Sequence, residues 1–79
     1  MTNRKDTPKL PDFLYIEAGN LRDLLSAVAG RLAKRSGTTH DDLRIATADL
    51  MIRADQSVGT SVPVAPKLLA RLIEFATTA

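Results

Sequence analysis

The chain has 79 residues, of which 44% are hydrophobic and 25% are charged, and its formal net charge is +2. This length allows one small domain, and the composition is that of a folded chain rather than a disordered one. Zero cysteines and one histidine exclude a disulfide framework, a thiolate metal site and an all-histidine metal cage within one chain. We therefore expect no cofactor. We also expect the stability of the domain to come from helix packing or from oligomerisation.

Residues 1–11 (MTNRKDTPKLP) contain three cations and two prolines but little that a core could bury. They predict a flexible basic arm, followed by a single helical domain over residues 12–79. The first residues lack the apolar stretch of a signal peptide, and no segment approaches the ~20 apolar residues of a membrane span. We expect a cytoplasmic protein without membrane contact.

Four apolar residues, Phe13-Leu14-Tyr15-Ile16, follow the arm and precede Gly19-Asn20. Their residue types favour a strand over about 13–17, and a short separate helix fits equally well. Helical phase predicts a break at Gly19-Asn20 before the first long helix. A strand here would most simply pair with its copy in a second chain, because the alternative partner, Ser61-Val62-Pro63-Val64, contains a proline.

The first long helix is predicted from Asn20, as its N-cap, to Ser36, with Gly37 as the C-terminal stop. One apolar stripe repeats at helical spacing along it: Leu21, Leu24, Leu25, Val28 and Leu32. A second face carries only small residues: Ser26, Ala29, Gly30 and Ala33. Such a face lets another backbone approach closely, although solvent-facing alanines explain it equally well.

The next helix is predicted from His40 to Ser57 with Thr39 as its N-cap, and the last helix begins near Pro66. The middle helix has two apolar ridges on opposite sides. The first comprises Leu43, Ala46, Thr47, Leu50, Ala54 and Val58, and the second comprises Ile45, Ala48 and Ile52. Either this helix lies between the other two helices of one chain, or its second ridge is a dimer interface. We favour the dimer.

Catalytic motifs are absent from the sequence, which has no Gly-rich phosphate loop, no GxSxG elbow and no HExxH helix. His40 stands beside Asp41 and Asp42, but neighbours in sequence point in different directions on a helix. Both carboxylates also suit the first turn of a helix. We therefore predict that the protein is not an enzyme and has no catalytic, cofactor-binding or metal-binding residues.

These patterns predict a mainly α-helical fold, in which a short extended or helical segment precedes three helices and the chain forms a dimer. The predicted function is a small non-enzymatic protein–protein interaction module, such as a regulator, inhibitor or adaptor, that binds another protein through an apolar helical surface. The candidate interface residues are Phe13, Leu14, Tyr15, Ile16, Ile45, Ala48 and Ile52.

The alternative is a small dimeric DNA-binding transcriptional regulator. The order of strand, helix, Gly37-Thr38-Thr39 turn and helix resembles the ribbon-helix-helix layout, which implies two strands paired across a dimer and set in the DNA major groove. The chain departs from that layout because Phe13–Ile16 lack alternating polar residues that would contact bases, and because it has an extra helix. The candidate nucleic-acid contacts are Arg4, Lys5, Lys9, Arg31, Lys34 and Arg35.

Overall fold

The computed structural model describes residues 12–77, so the arm predicted over residues 1–11 lies outside the described residues. In chain order the elements are β1 (Leu14–Glu17), α1 (Ala18–Leu32), α2 (Asp41–Gln56), β2 (Ser61–Val64) and α3 (Pro66–Thr77). The predicted mainly helical fold is confirmed over this part of the chain, and the 13–17 segment is a strand rather than a helix. The last helix begins at the proline that the sequence indicates.

β1 pairs with β2 of the same chain in an antiparallel sheet, where Tyr15 lies opposite Pro63. The expectation that this segment pairs with its copy in a second chain is therefore wrong. The register explains why the proline is tolerated. The backbone N–H of Ala18 donates to the carbonyl oxygen of Thr60 at 2.9 Å. Because hydrogen-bonded pairs alternate along an antiparallel ladder, position 63 needs no N–H directed at β1.

α1 begins at Ala18 rather than at Asn20, and its N-cap is Glu17. The Oε1 atom of Glu17 accepts a hydrogen bond from the backbone N–H of Asn20 at 3.2 Å, which satisfies one free amide of the first turn. A Cβ at position 19 would lie 3.3 Å from this carboxylate oxygen, so Gly19 leaves room for the cap. The predicted break between this segment and the first helix is confirmed, but it lies at Glu17–Ala18 rather than at Gly19-Asn20, and the helix runs through both of those residues.

The connection between α1 and α2 is longer than the sequence indicates. α1 ends at Leu32 instead of Ser36, and Gly37 lies in the following loop with a φ of 85°, where glycine is favoured. α2 begins at Asp41, so His40 occupies the N-cap position that the sequence assigns to Thr39. His40 makes no side-chain capping hydrogen bond, so the helix start depends on other contacts.

Arg44 of α2 supplies hydrogen-bond donors to this connection. Its Nη2 atom donates to the carbonyl oxygens of Arg35 at 2.9 Å and Leu32 at 3.4 Å. Its Nη1 atom donates to the carbonyl oxygen of Gly37 at 3.3 Å and to the Asp41 carboxylate at 3.0 Å. Carbonyls at a helix C-terminus have no partner within the helix, so one guanidinium satisfies both the end of α1 and the loop after it.

The core forms around α1. Its stripe residues Leu21, Leu25 and Val28 are fully buried. α1 packs against α2, α3 and both strands, whereas α2 packs on α1 and β2. The inner face of the sheet adds Val62 and Val64, each only 1% exposed. The middle helix of the fold is therefore α1, and the alternative in which α2 lies between the other two helices is wrong.

Replacing Arg44 by methionine should lower the free energy of unfolding by about 1–3 kcal/mol, because the loop carbonyls lose a charged donor. Arg53→Met is the matched control on the same helix. Arg53 makes an exposed ion pair with Asp49 at 2.9 Å, and such a pair contributes about 0.3–0.5 kcal/mol. Urea unfolding monitored by circular dichroism measures both losses. Equal losses in the two variants would show that Arg44 does not hold the loop.

Candidate protein interaction surface

The second apolar ridge of α2, comprising Ile45, Ala48 and Ile52, lies on the surface. Ile45 is 69% exposed, Ile52 is 56% exposed, and Ala48 between them is also exposed. The opposite side of the helix contributes Leu43 and Leu50 to the core. Ile45 and Ile52 are seven residues apart on one helical face, so they form one apolar patch rather than isolated exposed side chains. We call these three residues the α2 ridge.

A shallow groove of about 370 Å³ runs beside the α2 ridge, between α1 and α2. Its α1 wall includes Ala29 and Ala33, and its α2 wall includes Ala48 and Met51. In the sequence, the small face of the first helix and the second ridge of the next helix are separate features. The fold brings Ala29 and Ala33 of the small face beside Ala48 of the α2 ridge, so this α1–α2 groove has small apolar walls. Ser26 and Gly30 of the small face line a different depression on α1.

Two ion pairs lie on the helix pair that forms the α1–α2 groove, and of their four residues only Arg44 lines the groove. At the start of α1, Arg22 Nε contacts Asp55 Oδ1 of α2 at 3.2 Å. At the start of α2, Arg44 Nη1 contacts Asp41 Oδ1 at 3.0 Å. Exposed pairs of this kind stabilise a fold by at most about 1 kcal/mol.

The β1 residues predicted at the interface face both sides of the sheet. Leu14 and Ile16 lie opposite the buried valines of β2, on the core side. Tyr15 and Phe13 alternate with them and are 72% and 51% exposed. Phe13 lines a depression together with Arg53, on the flank of α2 away from the α1–α2 groove. The predicted interface residues are therefore divided among three places: the α2 ridge, the core side of the sheet and its outer side.

Three of the predicted cationic contacts lie outside the described residues: Arg4, Lys5 and Lys9. The other three line one depression on α1: Arg31, Lys34 and Arg35. Two of these also contact α3. Arg31 Nε donates to the carbonyl oxygen of Ala76 at 2.8 Å, and the guanidinium carbon of Arg35 lies 5.6 Å from the centroid of the Phe75 ring. These two cations therefore help to hold the end of α3 against α1.

His40 packs against the aromatic ring of Phe75, with the ring centroids 5.1 Å apart. The carboxylates next to it in sequence have other roles, since Asp41 binds Arg44 and both stand in the first turn of α2. Within residues 12–77, no group of three or more His, Cys, Asp or Glu side chains lies close enough to hold a metal ion. The surroundings of His40 are thus those of a packing residue between α2 and α3.

No protein-family model, no curated protein and no solved structure matches this chain. A function for it therefore has to be inferred from its own residues and their geometry. None of the helices within residues 12–77 combines the length and apolar character needed to cross a membrane.

Thr47 lies on the α2 wall of the groove and is only 5% exposed. Its Oγ1 atom has no hydrogen-bond partner among the described residues. A buried polar group without a partner costs about 1–3 kcal/mol. The sequence correctly places Thr47 in the buried stripe of the helix. An unpaired hydroxyl has no signature in the sequence, because pairing depends on the backbone and side chains packed around it.

Thr47→Val should raise the free energy of unfolding by about 1 kcal/mol, because valine is similar in shape and lacks the unpaired hydroxyl. For a domain of this size the gain corresponds to roughly 4–8 °C in Tm. Thr60→Val is the control, since the Thr60 hydroxyl donates to the carbonyl oxygen of Ser57 at 2.8 Å and its loss should not stabilise. Thermal unfolding compares the variants with the parent chain. A Tm of Thr47→Val at or below that of the parent would contradict the prediction.

Proposed function

We propose that this chain is a small non-enzymatic protein–protein interaction module that acts through the α2 ridge. The observation that supports this most directly is the exposure of Ile45 and Ile52 on the same face of one helix. Burying an isoleucine side chain contributes about 1.5–3 kcal/mol. Two such residues side by side would therefore supply a large part of the free energy of a specific complex.

The surroundings of the ridge favour a helix as the docked element. An amphipathic helix binds a partner by placing residues spaced by three, four and seven positions into an apolar groove. Ile45, Ala48 and Ile52 have this spacing. The α1–α2 groove beside them is lined by alanines and Met51, which permit close approach of another helix.

The double variant Ile45→Asp/Ile52→Asp should lose partner binding while its circular dichroism spectrum retains the helical signal, because both side chains are exposed and contribute little to the core. Ile73→Asp is the matched control, since Ile73 is 47% exposed on α3 and receives the same chemical change on a different face. Affinity-tagged versions are used to capture proteins from cells that encode this chain. Quantitative mass spectrometry then compares what the three proteins retain.

Proteins retained by the parent chain and by Ile73→Asp, but lost with the double variant, would support the ridge as the interaction surface. The same set retained by all three proteins would contradict it. Loss of the captured proteins with Ile73→Asp alone would indicate that the interaction surface lies on α3.

DNA binding is a second candidate function, supported by one observation: Arg31, Lys34 and Arg35 line a single depression on α1. Grouped cations bind phosphates and release counterions, so affinity for DNA should fall steeply as salt rises. The pairing of β1 with β2 in one chain leaves this candidate without the intermolecular ribbon that the ribbon-helix-helix resemblance implies. The α1 depression is therefore its main support.

If the depression binds DNA, fluorescence anisotropy of a labelled duplex at about 50 mM salt should show binding that weakens as salt is added. Lys34→Glu/Arg35→Glu should abolish it. Lys67→Glu/Arg71→Glu, the same charge change on exposed residues of α3, should weaken it less. No binding by the parent chain, or equal effects of the two double variants, would exclude the depression as a DNA site.

A further inference from the structure

A pocket of about 350 Å³ lies where the α1–α2 connection, the first turn of α2 and α3 meet. Its lining residues come from all three parts of the fold: Arg35, His40, Leu43, Arg71, Glu74 and Phe75. We propose that this α3 pocket binds a small organic anion in which a carboxylate or phosphate group is joined to an aromatic ring. None of the lining residues belongs to the α2 ridge or the α1–α2 groove, so the inference goes beyond the proposed function and does not depend on it.

The first reason is that the fold leaves the two arginines of this pocket without acidic partners. Three arginines on other parts of the surface each form an ion pair with an aspartate: Arg22, Arg44 and Arg53. Within residues 12–77, neither Arg35 nor Arg71 makes such a pair. Glu74 is the one carboxylate among the described lining residues, so the two guanidinium groups leave an excess of positive charge there. A guanidinium can donate two parallel hydrogen bonds to a carboxylate or a phosphate, which makes an oxyanion the matching ligand group.

The positive charge of the pocket is a local feature and not a property of the whole domain. Residues 12–77 contain eight Lys or Arg and eight Asp or Glu, so this part of the chain has no formal net charge. Arg35 also lines the α1 depression together with Arg31 and Lys34, which places several cations around the end of α1. Asp41 and Asp42, the acids in the first turn of α2, do not line the pocket. A cluster of one sign of charge beside a concavity raises the local concentration of an oppositely charged ligand.

The second reason is the aromatic and apolar part of the lining. Leu43 is buried and Phe75 is half-buried, so both add carbon atoms to the wall rather than charge. The centroid of the Phe75 ring lies 5.1 Å from that of the His40 ring and 5.6 Å from the guanidinium carbon of Arg35. An aromatic wall therefore stands directly beside a cation. Binding sites for small molecules combine apolar walls with a few polar groups in cavities of about 300–1,000 Å³, and this pocket falls within that range.

A series of small molecules titrated into the parent chain separates the effect of the charge from that of the ring. Benzoate has both, benzamide has nearly the same shape without the charge, and acetate has the charge without the ring. In amide NMR spectra, benzoate should shift the signals around the α3 pocket and should bind at least about tenfold more tightly than benzamide or acetate. Phenyl phosphate, compared with inorganic phosphate, makes the same test for a phosphate group. Whichever of the two aromatic anions binds more tightly identifies the preferred group.

Arg71→Gln tests the pocket itself, because this side chain is exposed and its replacement leaves the core intact. The variant should bind the better aromatic anion at least about tenfold more weakly than the parent chain does. Lys67→Gln is the matched control, since it removes the same charge from an exposed residue of α3 that does not line the pocket, and its Kd should stay within about twofold of the parent value. Circular dichroism confirms that both variants are folded. Arg35 is left unchanged because its contact with Phe75 also holds α3.

Three results together support the inference: shifts centred on the α3 pocket, tighter binding of an aromatic anion than of its neutral and ring-free counterparts, and weaker binding with Arg71→Gln alone. If the better aromatic anion binds no more tightly than benzamide or than its ring-free counterpart, the inference is overturned. Shifts centred on another surface, equal effects of the two variants, or no saturable binding of either aromatic anion would overturn it as well. None of these results bears on the α2 ridge, whose test is the capture of partner proteins.

Discussion

The rest of this fold depends on the burial of one apolar stripe along α1. Leu21, Leu25 and Val28 have no exposed surface, and burying each such side chain contributes about 1.5–3 kcal/mol. Because α2, α3 and both strands all pack on this helix, its stripe is the core that every other element shares. A chain of 79 residues can bury little apolar surface elsewhere.

The central position of α1 explains why α2 has an uncovered face. With α2 and α3 both packed on α1, each of them is covered mainly from one side. The face of α2 that carries Ile45 and Ile52 points away from that contact and has no covering element within residues 12–77. The same packing places Ala29 and Ala33 of α1 in the wall of the groove between the two helices.

The helical stripes and the start of α3 could be predicted from the sequence, because burial of one face of a helix produces a single helical period and Pro66 suits a first helical position. The sequence indicates the second strand only as an alternative partner of the first, since the tolerance of Pro63 depends on its register with β1 rather than on its own segment. The groove depends on how two helices pack, so neither helical pattern reveals it alone. The role of Arg44 could not be predicted from the sequence either, because its acceptors are backbone carbonyls of an irregular loop.

The pairing of β1 with β2 also has a consequence for the order of folding. The packing of α1 on α2 joins neighbouring segments, whereas the two strands meet only after the chain has closed around both helices. Closing that longer loop costs more entropy, so the helical pair is expected to form before the sheet. Ala18, the first residue of α1, donates its amide to Thr60 just before β2. During synthesis the beginning of the first helix therefore lacks this hydrogen bond until the segment that leads into the last helix has been made.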